Sequence, residues 1–262
     1  MKNNIGILVV IALLVAAVVG YYLMGDTTPE IVPTPPVVAA PADIPVEPVN
    51  PAPAQEILPP LPQLKDSDPD ISKALSDLFG ADAFNKYFRP SEIIQHIVVT
   101  IDNLPRKTVA TRLFPIKIVG GQLHTAGDDE NLTISPKNSS RYTPYVRIVE
   151  MVDAAKLVAI YARFSPLFQR AYQDLGYPDG SFNDRLITVI EHLIDAPELK
   201  GQVRLVQPNV MYQYADPALE AQSAGRKIMM RMGKTNEVKI KSKLREIRRE
   251  LADHFSKQLS AK

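Results

Sequence analysis

Residues 175–185, "LGYPDGSFNDR", hold the chain's densest set of side chains with chemistry in them. Asp179, Ser181 and Asn183 alternate like the first three ligands of a calcium loop. The pattern then fails. The sixth position is Asp184, where such a loop needs Gly, and the twelfth is Ile190, where it needs a bidentate Glu. The residues that follow offer another chemistry. At helical spacing Asp184, Thr188, Glu191 and Asp195 share one face, with His192 beside them. Clustered carboxylates raise one another's pKa, and a general acid needs a raised pKa. Asp184 and Glu191 are therefore the catalytic candidates, and the reaction they suit is hydrolysis. Tyr177, Asp179 and Asn183 are the binding candidates of the loop itself.

A structural reading covers the same residues. Gly176 suits the left-handed position after a helix end. Tyr177-Pro178-Asp179-Gly180 suits a type I or II turn. Ser181 or Asn183 suits an N-cap, and Asp184 suits the first turn of the helix it opens. Every polar side chain of the loop then has a structural role, and acids on a helix face are ordinarily solvated.

The last helix is the second constellation. Ile240, Leu244, Ile247, Leu251, Phe255 and Leu259 make one stripe, and Lys239, Lys241, Lys243, Arg245, Arg248 and Arg249 cover much of the rest. Residues 225–262 carry 12 bases against 4 acids, whereas residues 65–224 carry 17 against 20. Lys243, Arg245, Arg248 and Arg249 are the candidates for contact with an anionic partner. Met229, Met230 and Met232 read as core, since soft metal sites need more ligands than this segment supplies. With no Cys, thiol catalysis, disulfides and Cys-ligated zinc are excluded. The four His are scattered without an H-x-x-x-H pair, and no P-loop, nucleophile-elbow or dinucleotide fingerprint occurs. No cofactor and no metal is expected.

Mostly helices must position these residues. "DPDISKALSDLFG" and "ADAFNKYF" read as two short helices parted by Gly80. "SEIIQHIVVTIDNL" reads as a third, with Ser91 as N-cap and an end before Pro105. Residues 105–141 break the helical period and predict long connections with short strands around Ile116–Val119 and Leu132–Ser135. Helices resume at "TPYVRIVEMV", with Thr143 as cap, and at "DAAKLVAIYARFSPLFQRAYQDLG", capped by Asp153 and expected to kink at Pro166. "NDRLITVIEHLIDA" is the helix after the loop. "GQVRLVQPNVMYQY" alternates like strands, and two further helices close the chain.

Taken in order, "TIDNLPR" (100–106), "GYPDGSFNDRLITVIEHL" (176–193), "VRLVQPNVMYQYADPALEAQSAGRKIMMRMG" (203–233) and the Lys-rich helix after them resemble a bacterial family, Domain of Unknown Function 3014. The resemblance runs through most of residues 65–255. It implies a membrane-tethered envelope protein and brings no activity and no catalytic residue.

The N-terminus gives the same address. Ile5 to Met24 is twenty residues without a charge, enough for roughly 30 Å of helix and so for a bilayer core. Lys2 precedes it, Asp26 and Glu30 follow, and the next base is Lys65. The excess of positive charge before the span predicts a cytoplasmic N-terminus and a periplasmic remainder. A cleaved signal peptide is the competing reading, but the run is long for one and no clean A-x-A site follows. Residues 25–64 hold twelve prolines, five acids and no base, which predicts an extended spacer with a reach on the order of 100 Å.

The sequence thus predicts three parts: a cytoplasmic tip and transmembrane helix over 1–24, a Pro-rich linker over 25–64, and a compact, mainly α domain with a minor β element over 65–262. The expected protein is a single-pass inner-membrane protein that presents a non-catalytic binding or scaffold domain in the periplasm. Its expected partners are the inner membrane through residues 5–24, and the cell wall or another envelope protein. Nucleic acid is not expected in that compartment. The alternative is a cell-wall hydrolase using Asp184 and Glu191.

Overall fold

The computed structural model describes residues 60–128 and 130–260. The expected anchor and all of the spacer before Pro60 lie outside the described residues. Among the described residues no helix is long and apolar enough to cross a membrane. The domain is mainly helical, as the hydrophobic periodicity predicts. Its helices are α1 (Asp68–Phe79), α2 (Ala81–Tyr87), α3 (Ile93–Asn103), α4 (Thr143–Glu150), α5 (Ala154–Asp174), α6 (Phe182–Ile194), α7 (Pro217–Glu220), α8 (Ala224–Arg231) and α9 (Lys234–Ser260). A 3-10 turn over Leu64–Asp66 leads into α1, and Leu61 and Leu64, the end of the Pro-rich stretch, already pack against the core.

The main core is built chiefly from the apolar faces of α1, α3, α5, α6 and α9. Helix α5 lies at its centre, against α3, α6 and α9, while α9 also runs along α4. Tyr161, Phe168 and Phe182 fill the space between α5 and the start of α6, the two Phe rings stacked with centroids 5.7 Å apart. On α9 the expected stripe holds for five of its six residues: Ile240, Leu244, Ile247 and Leu251 are buried and Phe255 is packed on the core, while the Leu259 side chain lies outside the described residues. All three of Met229, Met230 and Met232 are buried too.

Helix α5 runs through Pro166. Proline removes the N–H that would have bonded to the carbonyl four residues back, at Ala162. The Ser165 hydroxyl donates to that carbonyl instead, at 2.9 Å.

Two antiparallel ribbons form the minor β element. Strand β1 (Thr125–Ala126) pairs with β2 (Thr133–Ile134), and β3 (Leu205–Val206) pairs with β4 (Gln213–Tyr214). A single bridge, Thr133 to Arg204, sets one ribbon beside the other. Leu205, Tyr214 and Met230 make a small core beneath them. Ile116 forms only an isolated bridge with Phe88, so the strand expected at 116–119 is absent from the described fold.

Two helix starts differ from the expectation. Helix α3 begins at Ile93, with Glu92 left-handed at φ 51°, and Ser91 does not cap it. The cap comes from a different helix: the Asp68 carboxylate accepts from the Glu92 and Ile93 amides at 2.7 and 2.9 Å. Helix α4 has Thr143 as its first residue, with Tyr142 before it and no side-chain cap. A 3-10 segment, Pro136–Arg141, leads directly into it and supplies the preceding turn.

Candidate functional site

The loop after α5 is built as its turn residues dictate. Gly176 sits at φ 109°, a value that L side chains rarely adopt, and its amide donates to the Gln173 carbonyl. Gly180 N–H donates to the Tyr177 carbonyl at 3.1 Å, which closes a four-residue turn. Ser181, rather than Asn183, caps α6: its hydroxyl accepts from the Asp184 amide at 3.3 Å. Gln169 of α5 then clamps the loop, donating to the Gly180 carbonyl at 2.7 Å and accepting from the Phe182 amide at 2.9 Å.

The predicted site residues do not come together. Asp179 is exposed at the turn. Asn183 accepts a hydrogen bond from the buried Tyr161 hydroxyl, whose pKa burial and Asp184 push far up. Asp184 and Glu191 are both exposed, and Glu191 is spent on Arg248, 2.9 Å away. Phe182 is in the core. On α9, Lys243 turns inward, donating to the Val152 carbonyl at 2.7 Å and pairing with Glu246 at 2.6 Å. Lys241 is buried: it donates to the Ala196 carbonyl and lies 2.9 Å from Glu237. Arg249 stands 3.6 Å from Glu250. Arg245 is exposed without an ion pair or hydrogen bond among the described residues. The basic face of α9 is thus largely tied into pairs. Among the described residues no group of three or more His, Asp or Glu is placed to hold a metal ion.

A different cluster does assemble, and Tyr177 is its link to the loop. Asp102, near the C-terminal end of α3, is 2 % exposed. Its Oδ1 accepts from Arg185 Nε at 3.0 Å, and Arg185 Nη2 also reaches the Asp102 backbone carbonyl at 2.7 Å. Its Oδ2 accepts from Arg106 Nη2 at 2.5 Å and from the Tyr177 hydroxyl at 3.3 Å. Arg106 Nη2 also donates to the Tyr177 oxygen at 2.9 Å, and the Tyr177 ring stacks on Tyr172. A buried carboxylate of this kind is stable only with its charge compensated and its lone pairs filled. Two guanidiniums and a phenol meet both needs here.

The cluster continues onto α8. Arg106 and Leu104 carbonyls accept from the Ala224 and Gly225 amides at 2.8 and 2.9 Å, so the helix start abuts the turn after α3. Gly225 permits that approach, because a Cβ there would lie 2.7 Å from Leu193 Cδ2 and 2.9 Å from the Leu104 oxygen. Ser223 caps α8 through the Arg226 amide, and its hydroxyl shares a 2.7 Å hydrogen bond with His192 Nε2. Arg226 Nε donates to the His192 carbonyl at 3.0 Å. Burial, then the Arg226 charge, lowers the His192 pKa; Arg185 acts the same way and Asp195 opposes them. At neutral pH the imidazole is therefore neutral.

Sequence reading missed Asp102, Arg106, Arg185, His192–Ser223 and Arg226 as partners, since they lie up to 124 positions apart in the chain. A signal for them was present in the three quoted motifs, each of which contributes at least one member. An open groove of about 600 Å³ also lies between the 3-10 turn and α5, lined by Leu64, Gln95, Leu167 and Arg170 among others. None of the predicted site residues lines it.

No curated protein and no solved structure matches the chain. A family model described as "Protein of unknown function (DUF3014)" matches residues 93–248, more than half of the chain, and that span contains every member of the Asp102 and His192 clusters. The chain belongs to the DUF3014 family.

Proposed function

We propose that the helical domain is a non-catalytic binding or scaffold unit of the bacterial cell envelope, held on the periplasmic side of the inner membrane by an N-terminal anchor and a proline-rich spacer. The observation that carries the reading is the state of the carboxylates. Asp184 and Glu191 lie on one face of one helix, about 10 Å apart along its axis, rather than facing each other across a cleft as a glycosidase pair does. Glu191 is paired with Arg248, and the neighbouring Phe182 is in the core and cannot line a cleft. The anchor and address rest on the uncharged run Ile5 to Met24 and the charge asymmetry around it.

The test is co-sedimentation of the full-length, detergent-solubilised chain with isolated cell-wall sacculi, with soluble fragments followed in the same tubes. The expected result is pelleting without fragment release, unchanged in Asp184→Asn and Glu191→Gln. Fragment release that disappears in either variant would make the protein a wall hydrolase and overturn the reading.

A further inference from the structure

We propose that the groove between the 3-10 turn and α5 binds a short acidic peptide of the kind that branches from the glycan strands of the cell wall. The inference rests on the binding-domain reading above and names the part of the wall that is held.

The groove is built from three segments. Leu167, Arg170, Ala171 and Asp174 recur at i, i+3, i+4 and i+7 of α5 and so form one face of that helix. Gln95 comes from α3, and Leu64 and Lys65 come from the 3-10 turn. The turn is held in place by Leu64, which packs against the core, and by the Ser67 hydroxyl, which donates to the Leu64 carbonyl at 2.7 Å. The seated end of the Pro-rich stretch therefore bounds the groove on one side. At about 600 Å³ its size falls within the range of about 300–1,000 Å³ usual for ligand pockets. That suits a few residues of a peptide better than the face of a folded protein, which buries about 800 Å² per partner.

Charge gives the sign of the ligand. Lys65 is exposed and makes no hydrogen bond or ion pair among the described residues. The acid among the lining residues, Asp174, is paired with Arg170 Nε at 3.0 Å. Asp66, next to Lys65 in the sequence, does not line the groove. Two positive charges thus stand against one negative, and the Lys65 ammonium is the one with no counter-charge. A carboxylate complements it.

Gln95 points to a peptide group. Its Oε1 is buried without a hydrogen bond, and no other hydrogen bond holds the amide among the described residues. A buried carbonyl left unsatisfied is costly and is rare in native folds. A ligand hydrogen-bonded to this amide removes the penalty. Turned over, the amide offers its oxygen to a peptide N–H, and as it stands it offers its NH2 to a peptide carbonyl. Beside it, Leu64, Leu167 and Ala171 give an apolar floor that suits small aliphatic side chains. An inorganic anion would leave that floor uncovered, and a neutral aliphatic ligand would leave Lys65 unmatched. A peptide that combines alanine methyls with carboxylates meets both, and wall stem peptides have that composition.

The test uses the full-length chain in a non-ionic detergent and the stem tetrapeptide released from sacculi by an amidase. Binding is followed by the line width of the peptide's alanine methyl resonances in proton NMR and by thermal midpoint, at constant ionic strength. Millimolar or tighter binding is expected. It should weaken about tenfold when the peptide carboxylates are methyl-esterified, and about tenfold in Lys65→Glu, where attraction becomes repulsion. It should weaken about fivefold in Gln95→Ala, which removes a hydrogen-bonding amide. Lys156→Glu, exposed on α5 and about 21 Å from Arg170 along the helix, should leave it unchanged. Binding that survives Lys65→Glu and Gln95→Ala in variants that melt cooperatively would overturn the site, as would no peptide binding or binding indifferent to esterification. A synthetic peptide of residues 41–50, PADIPVEPVN, from the acidic spacer serves as the comparison ligand. If it binds as tightly as the stem peptide, the assignment to the wall is overturned in favour of the chain's own spacer. Pelleting on sacculi without binding of the stem peptide would overturn the groove assignment and leave the binding-domain reading standing.

Discussion

Asp102 makes a sharp distinction between two arginines that both touch it. The Arg185 side chain is 26 % exposed and that of Arg106 is 54 % exposed. Asp102→Asn leaves Arg185 half-buried without its counter-charge, and breaking a buried pair in this way costs about 3–5 kcal/mol. Arg106→Gln leaves Asp102 still neutralised by Arg185 and, at an exposed side chain, costs about 0–1 kcal/mol. Urea midpoints should rank wild type, Arg106→Gln and then Asp102→Asn in falling order. Equal midpoints for the two variants would mean that Asp102 is not held as described. Gly225 gives a second residue-scale expectation. Its Cβ has no room against Leu193 and the Leu104 oxygen, and overpacking of this kind costs about 1–3 kcal/mol. Gly225→Ala should lower the urea midpoint, while Gly120→Ala, with nothing within 4 Å, should leave it nearly unchanged.

Among the elements, α9 differs most from its sequence pattern. The apolar stripe was readable because a period near 3.6 survives over many turns. The fate of the lysines was not, since a basic residue beside the stripe is equally able to face water or to find a carbonyl. Lys241 reaches the Ala196 carbonyl and lies against Glu237, itself 1 % exposed. Burial pushes the Glu237 carboxyl up, and Lys241 pulls it back. Lys241→Met should therefore cost about 3–5 kcal/mol by isolating a buried carboxylate. The double change Glu237→Met with Lys241→Met should cost clearly less than the sum of the single changes in a double-mutant cycle. Additive costs would mean that the pair does not act as one unit. Similarly, the start of α3 was misread because Asp68, 24 positions before Glu92, supplies the cap that Ser91 was expected to supply. Local capping rules carry no information on an acceptor brought in by tertiary packing. The 175–185 loop was legible almost throughout, because Gly176, Pro178, Gly180 and Ser181 act within a few residues of themselves.

For the molecule as a whole, helical content and the central core were visible in the periodicity, and the Asp102 cluster was not. Its members come from α3, α6, α8 and the connections between them, and only packing brings them together. One consequence is a dependence of stability on pH. The His192 pKa is lowered in the folded state from 6.5, so the unfolded chain binds more protons below that value. The contribution is present above pH 6.5 and is lost as pH falls through the lowered folded pKa. The thermal midpoint should drop between pH 7 and pH 5, and His192→Gln should shallow that drop. An identical slope in the variant would assign the acid sensitivity to other groups.

The Asp68 cap also makes the entry of the chain a mechanical junction. The segment from Leu61 to Ser67 is seated on the core, and the next residue holds the first amides of α3. Tension applied through the preceding chain is carried across Asp68 before it reaches the rest of the domain. A load large enough to lift α1 would uncap α3 first, and α3 bears Asp102 at its far end. Force on the preceding chain would then reach the Asp102 cluster through a single helix.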